Sequence, residues 1–185
     1  MKSTKLASRY AKALFDLAQQ RGEIETVNQD LALVKSVLKE NRDFKGVIES
    51  PVIFPDKKNS IFKGVFDGKL SDTAFGFLSL IIRKKREPAL GIICDEFLAL
   101  YNIHHNIKIA RVVTASPITP ELTEILRHLL EEETHSTIQI ITAVDERIIG
   151  GLMVEIDGYL YDASLLTRIN RLRAEFSHNV YRAAF

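Results

Sequence analysis

Apolar residues recur at helical spacing through the first 105 residues of the chain. The first such segment, residues 4–20, carries two apolar stripes, and Gly22 ends it. Because both stripes are apolar, we expect this helix to bury two faces. One stripe consists of Leu6, Tyr10, Ala13, Leu14 and Leu17, and the other, with mostly smaller side chains, of Ala7, Ala11, Phe15 and Ala18.

Five more helices are predicted in the same half of the chain. Amphipathic segments occupy residues 23–40 and 43–49. Pro55, Ser71 and Pro88 mark the starts of the remaining three, since proline fits the first helical turn and serine caps it. The helix after Ser71 is apolar on nearly all sides, so we expect it to lie centrally or to meet a partner. Short connections between six such helices predict a compact N-terminal six-helix bundle.

After Asn106 the pattern changes to alternating apolar and polar positions. Residues 107–115 and 138–144 are predicted strands. Thr119-Pro120 begins a helix between them. This half of the chain is therefore predicted to mix strands with helices.

A hairpin and a last helix complete the predicted elements. Residues 152–156 alternate as a half-buried strand should, Asp157-Gly158 turns the chain tightly, and residues 159–161 return. Asp162 and Ser164 supply capping oxygens for the helix that follows. We expect the apolar stripe of this helix to pack against the small sheet. The stripe consists of Leu165, Ile169, Leu172 and Phe176.

The predicted fold class is α+β overall, with a helical domain at residues 1–105 and a small α+β domain at residues 106–185. The charge also differs between the two halves. The first holds 17 basic and 13 acidic residues, and the second holds 8 and 11. Neither imbalance is large enough to predict general nucleic-acid binding.

Cys94 is the single cysteine, so the chain has no internal disulfide, and its apolar neighbours predict a buried, unreactive thiol. No apolar run approaches the ~20 residues needed to cross a bilayer. The first ten residues lack the hydrophobic segment of a signal peptide. We therefore expect a soluble protein whose association with any membrane is indirect.

Residues that could carry catalysis or bind a cofactor occur without the spacing that these roles require. Gly150-Gly151 lacks the motif of a phosphate-binding loop, and Asp157 and Asp162 are explained by turn and cap positions. His104 and His105 would project roughly 100° apart on a helix and cannot easily share a metal ion. The sequence thus predicts no enzyme, no cofactor and no metal site.

Two charge clusters have a simple explanation and a more specific one. Arg83 to Arg86 follow a predicted helix, where the helix dipole favours cations, and contact with RNA phosphates is the alternative. Glu131 to Glu133 form a solvated stretch that, in a docking protein, could meet a basic partner.

Three motifs along the chain carry a family resemblance. They are Tyr10 to Phe15, Phe97 to Asn102, and a C-terminal set with two glycines, an Asp-Ala-Ser and an Arg-Leu-Arg. In this order they resemble the delta subunit of bacterial F-type ATP synthases, called the oligomycin-sensitivity-conferring protein in mitochondria, over nearly the whole chain. The resemblance assigns a structural role to the signature residues of the last set, which are Gly150, Gly151, Asp162, Ser164, Arg171 and Arg173.

The resemblance implies a non-catalytic stator connector at the cytoplasmic face of the bacterial cell membrane. In that family the N-terminal bundle sits on the catalytic head and receives the N-terminal helix of an alpha subunit, and the C-terminal part grips the b subunits of the peripheral stalk. A small RNA-binding protein that uses Arg83 to Arg86 is the alternative function, and an enzyme comes third.

Docking of a partner helix into an apolar groove would be the physical means of binding alpha. The first and fifth predicted helices carry more apolar residues than one core-facing stripe needs, so we expect part of this surplus to form the groove. A plain core position is the other interpretation of each residue. The predicted groove residues are Tyr10, Leu14, Leu80 and Ile81.

Overall fold

The computed structural model describes residues 2–177, and the side-chain surroundings of residues 5–175. The chain divides into two compact units, Met1–His105 and Asn106–Phe185. The change from helical to alternating periodicity falls at the same boundary. The architecture is α+β overall, as predicted.

Six α-helices and one short 3-10 turn make up the described part of the first unit. The 3-10 turn, Glu87–Ala89, leads into the last helix and contains the proline from which that helix was predicted to start. The helices are α1 (Lys2–Arg21), α2 (Ile24–Glu40), α3 (Arg42–Glu49), α4 (Pro55–Phe66), α5 (Asp72–Arg83) and α6 (Leu90–His104).

Local side-chain chemistry explains where these helices begin and end. Gly22 has a positive φ of 69° and ends α1. The side chain of Asn41 accepts a hydrogen bond from the Phe44 N–H at 3.0 Å and caps α3. The predicted starts at Pro55 and Ser71 are confirmed, since Pro55 is the first residue of α4 and Ser71 caps α5.

The core of the first unit draws on all six helices. Helix α1 packs most extensively along α6, and it buries the whole stripe with smaller side chains together with Leu14 of the other stripe. The alanines allow the two backbones to approach closely. Phe15 packs against Phe97 of α6 with ring centroids 5.7 Å apart. Leu17, from the other stripe, is exposed.

The second unit combines a four-stranded sheet with two helices. The elements are β1 (Ile107–Thr114), α7 (Pro120–Thr134), β2 (Thr137–Val144), a 3-10 turn (Glu146–Ile148), β3 (Leu152–Ile156), β4 (Tyr159–Asp162) and α8 (Leu165–Ser177). The strand order is β2-β1-β3-β4. Strands β1 and β2 are parallel and are joined by a crossover through α7, and the other neighbours pair antiparallel.

One face of this sheet forms the small core of the second unit. Leu126 and Leu130 of α7 pack against it, and the strand residues of this core are Ala110, Val112, Ile138, Val154 and Ile156. The predicted turn at Asp157-Gly158 is confirmed, with φ of 51° and 79° at its two residues, which is typical of a two-residue hairpin.

The prediction that α8 packs its apolar stripe against the sheet is wrong. Leu165, Ile169 and Leu172 are exposed, and Phe176 lies outside the described side chains. Helix α7 covers the buried face of the sheet, and α8 instead lies mainly against the 3-10 turn Glu146–Ile148 and the glycines that follow it. Among the described residues, no helix has both the length and the apolarity that a bilayer crossing requires.

Candidate partner-binding surfaces

The four residues predicted for the partner groove do not share one surface. Leu14 is 2% exposed and Ile81 is 0% exposed, because both side chains point into the core of the first unit. The prediction that these two residues contact a partner is therefore wrong. Tyr10 is half-buried and Leu80 is 41% exposed, so both remain at the surface.

Tyr10 lies in a shallow groove along α1. The groove has a volume of about 560 Å³ and is lined by Lys5, Leu6, Arg9, Tyr10 and Ala13. Leu6 and Tyr10 also pack against the core, which holds their side chains in place while part of their apolar surface faces solvent. Lys5 and Arg9 add positive charge. Such a groove can receive the apolar side of a partner helix that carries acidic residues beside it.

Polar contacts hold the end of α1 to the start of α5. The guanidinium of Arg21 donates to the Thr73 hydroxyl at 2.9 Å, and that hydroxyl donates to the Glu23 carboxylate at 2.6 Å. Thr73 is buried, so water competes little for these hydrogen bonds. They position the helix that carries Tyr10 relative to the helix that carries Leu80. The sequence offers no local signal for these contacts, because their partners lie about fifty positions apart.

The outer side of α7 is an apolar surface. Leu126 and Leu130 face the sheet, whereas Leu122, Ile125 and Leu129 are exposed. Ile125 and Leu129 line a shallow depression of about 680 Å³. The acidic residues that border this depression are Glu124, Glu131 and Glu132.

The sheet face turned away from α7 is also apolar in part. The strand register places Ile109, Ile141 and Leu160 on this face, and all three side chains are exposed. Edge strand β4 exposes Tyr159 and Tyr161 on the opposite face. Together with the stripes on α7 and α8, these residues leave the second unit with extensive exposed apolar surface, which is typical of an interaction site.

Gly150 and Gly151 allow the chain before β3 to lie against the start of α8. A Cβ atom on Gly151 would overlap the carbonyl oxygen of Ala163, and one on Gly150 would stand 2.7 Å from Cδ1 of Leu165. The Leu165 N–H donates to the Gly150 carbonyl at 2.9 Å. This close approach explains the glycine pair without a bound phosphate.

Asp162 and Ser164 cap the N-terminus of α8. The Thr167 N–H donates to the Ser164 hydroxyl oxygen at 3.2 Å, and the Asp162 carboxylate accepts from the Thr167 hydroxyl at 2.7 Å and from the Ser164 N–H at 2.8 Å. The hydrogen bonds that the Asp162 carboxylate accepts lower its pKa, and the bond from the Thr167 hydroxyl has the largest effect.

The two signature arginines of α8 are both exposed. Arg171 Nε lies 3.4 Å from a carboxylate oxygen of Glu175, one helical turn away. Arg173 has no salt bridge with another described residue. Exposed pairs of this kind stabilise a helix only slightly, so the arginines are free to serve contacts outside the chain.

Arg83 to Arg86 close the C-terminal end of α5. Lys85 adopts a positive φ of 55°, its N–H donates to the Ile82 carbonyl at 3.0 Å, and the Arg86 N–H donates to the Ile81 carbonyl at 3.0 Å. This is a Schellman closure, and cations are favoured there by the helix dipole. All four basic side chains are exposed.

Groups that could act in catalysis are explained by structure. Burial raises the pKa of the Cys94 thiol to about 12, which keeps it protonated and unreactive. Hydrogen bonds from Arg147 lower the pKa of Asp145 to about 2. His105 Nε2 lies 3.2 Å from the Glu25 carboxylate. Within the described part of the chain, no cluster of side chains has the composition of a metal site.

Comparison with known proteins identifies relatives over almost the full length of the chain. The family model described as "ATP synthase delta (OSCP) subunit" matches residues 6–176. "ATP synthase subunit delta" of Cytophaga hutchinsonii is 34% identical, and the match covers 97% of this chain and 98% of that protein. "ATP synthase subunit delta" of Salinibacter ruber is 35% identical, and the match covers 93% of this chain and 90% of that protein.

A solved structure shows the same fold. A chain of the Toxoplasma gondii mitochondrial ATP synthase hexamer, determined by cryo-EM, superposes with a TM-score of 0.73 at 22% identity. The match covers 93% of this chain and 97% of that one.

Proposed function

Because the chain belongs to the ATP synthase delta (OSCP) subunit family, we propose that its two units bind two different partners, the first an alpha subunit and the second the b subunits. The chain is a non-catalytic stator connector of the F-type ATP synthase, which links the catalytic head to the peripheral stalk. The observation that supports separate partners is the exposed apolar surface on each unit.

A connector of this kind has a mechanical task. The turning rotor would drag the catalytic head with it unless a stalk anchored at the membrane held the head still. The connector then carries the torque between head and stalk during proton-driven ATP synthesis. A joint under continuous load requires slow dissociation, so we expect nanomolar affinity for each partner, about −12 kcal/mol.

The alpha subunit contributes its N-terminal helix, which docks in the groove around Tyr10. The apolar side of that helix covers Leu6 and Tyr10, and acidic residues beside it approach Lys5 and Arg9. Leu80 on α5 extends the contact if the helix reaches across from α1. We expect the six helices to bind the alpha helix as one bundle, since they share a single core.

The b subunits bind the second unit through its exposed apolar side chains. The outer side of α7 is the best candidate, because apolar residues there adjoin three glutamates. Glu124 is paired with Arg127, and the acidic charge of the other two suits a basic helix. The complex as a whole places this chain peripherally at the cytoplasmic face of the membrane. No observation favours the RNA-binding alternative at Arg83 to Arg86.

The alpha contact can be tested on the full chain with a synthetic peptide of the alpha N-terminal helix. Isothermal titration calorimetry should show that Tyr10→Asp weakens binding at least tenfold, because it places a carboxylate in the apolar groove. Leu17→Asp is the matched control on the same helix, since Leu17 is exposed outside the groove. Equal affinity of a folded Tyr10→Asp variant would refute this location for the alpha site.

A further inference from the structure

The loop between α3 and α4 holds two apolar side chains out in solvent. Val52 is 83% exposed and Phe54 is 80% exposed, the highest values among the large apolar side chains that the structure describes. Pro51 and Pro55 flank this segment, and each fixes its own φ angle. The loop therefore has restricted freedom, and little entropy is lost when a partner covers it.

A groove lies beside this loop. Its volume is about 360 Å³, and it is walled by residues 51–55 together with Glu49, Lys58, Lys85, Glu87 and Pro88. The ammonium of Lys58 lies 2.8 Å from the Glu87 carboxylate, and both side chains are 4% exposed. The groove shares no lining residue with the one around Tyr10.

The uncompensated charge at this groove is positive. Glu87 is neutralised by Lys58, and the Glu49 carboxylate lies 3.9 Å from the Lys45 ammonium. Lys85, by contrast, has no salt bridge with any residue that the structure describes. Neither do its exposed neighbours Arg83, Lys84 and Arg86. Lys85 is thus an unpaired cation in the wall of the groove, and three more exposed cations adjoin it in sequence.

We propose that this groove is a second docking site on the first unit, for an acidic amphipathic peptide segment of a partner protein. Apolar side chains of the segment pack on Val52 and Phe54, and its carboxylates pair with Lys85 and the neighbouring cations. A concave site favours a peptide over a membrane, because two apolar side chains bury too little area to anchor a protein on lipid. RNA would use the cations, but its bases recognise proteins by stacking on planar side chains and by hydrogen bonds, and neither covers Val52.

The test uses the full chain and three fluorescent peptides of about sixteen residues. The first carries leucine and phenylalanine on one helical face and glutamate on the other, the second has the same composition scrambled, and the third has lysine in place of glutamate. In fluorescence anisotropy, the first peptide should bind at least tenfold more tightly than either of the others. Its affinity should fall as salt rises.

Variants locate the site. The double variant Val52→Ser with Phe54→Ser should weaken binding of the first peptide at least tenfold, and so should Lys84→Glu with Arg86→Glu. Neither is expected to unfold the chain, because these side chains are exposed, and serine suits the position before α4 that Phe54 occupies. The titrations are repeated on the Tyr10→Asp chain, so that binding of the peptide at the groove around Tyr10 does not contribute. Ile103→Ser, at another exposed apolar residue of the same unit, is the control that should leave the affinity unchanged.

Two results would overturn the proposal. One is equal binding of the ordered and scrambled acidic peptides, which would indicate charge attraction alone. The other is binding of anionic lipid vesicles or of RNA that depends on Val52 and Phe54, while the acidic peptide does not bind. The Tyr10→Asp substitution does not alter the groove at residues 51–55, so the proposal for this groove and the proposal for the alpha site can be tested separately.

Discussion

The carboxylate of Asp30, on α2, accepts two hydrogen bonds from Ser71, one from its backbone N–H at 2.9 Å and one from its hydroxyl at 2.6 Å. Asp30 is buried, and Ser71 is itself the cap of α5, where its oxygen accepts from the Ala74 N–H. The start of α5 is therefore fastened to the middle of α2. This contact positions the helix that carries Leu80.

Removal of the Asp30 carboxylate should destabilise the first unit. Asp30→Ala leaves the Ser71 N–H and hydroxyl without their acceptor in a partly buried place, at a cost of about 1–3 kcal/mol. Urea unfolding followed by circular dichroism at the helical band measures the change. Asp16→Ala, at an exposed position on α1, is the control and should change the unfolding free energy by less than ~0.5 kcal/mol.

Breaking the buried ion pair between Lys58 and Glu87 should destabilise the first unit more than Asp30→Ala does. Lys58→Met leaves the Glu87 carboxylate buried without its cation, which typically destabilises a protein by about 3–5 kcal/mol. The double variant Lys58→Met with Glu87→Leu removes both charges and should recover most of that loss. If the single variant unfolds at the same urea concentration as the parent chain, the pair is not buried as described.

The two glycines Gly151 and Gly158 provide a matched comparison in the second unit. Both have φ near 80°, but a Cβ atom on Gly158 meets nothing within 4 Å, whereas one on Gly151 meets the Ala163 carbonyl oxygen. Gly158→Ala should lower the free energy of unfolding by ~1–2 kcal/mol, because alanine is strained in this backbone conformation. Gly151→Ala should cost a further ~1–3 kcal/mol because of the overlap. Equal unfolding free energies would contradict the close approach.

Acid should weaken the cap of α8. The pKa of Asp162 is lower in the folded state than its usual value of 3.8. The ionised carboxylate therefore stabilises the folded chain fully above about pH 4, and this stabilisation is lost as the pH falls through the lowered pKa. Asp162→Asn should therefore melt below the parent chain at pH 7, with a difference that shrinks below about pH 4. A difference in melting temperature that stays constant from pH 7 to pH 3 would argue against this role.

Local signals predicted the elements well. Ser71 and Thr119 cap the helices that follow them, and Asp157-Gly158 forms the turn, since each of these effects depends on neighbours within a few residues. The change of periodicity near Asn106 likewise marks the boundary between the two units.

Which apolar face is buried could not be predicted from spacing alone. Leu14 and Ile81 were assigned to a partner and lie in the core, while the stripe of α8 was assigned to the sheet and is exposed. Helical periodicity identifies a face but not the neighbour that covers it. The contacts of Asp30 with Ser71 and of Lys58 with Glu87 join residues that lie 41 and 29 positions apart in the sequence. A pattern of neighbouring residues cannot predict such contacts.

The connector role is tested most directly by asking whether one chain binds both partners at the same time. The chain would be mixed with an alpha N-terminal peptide and a soluble fragment of the b subunits, and the complexes weighed by native mass spectrometry. We predict a single complex that contains the chain, the peptide and the b fragment together. Binding of the two partners in mutually exclusive complexes, or of neither partner, would contradict a role as the joint between head and stalk.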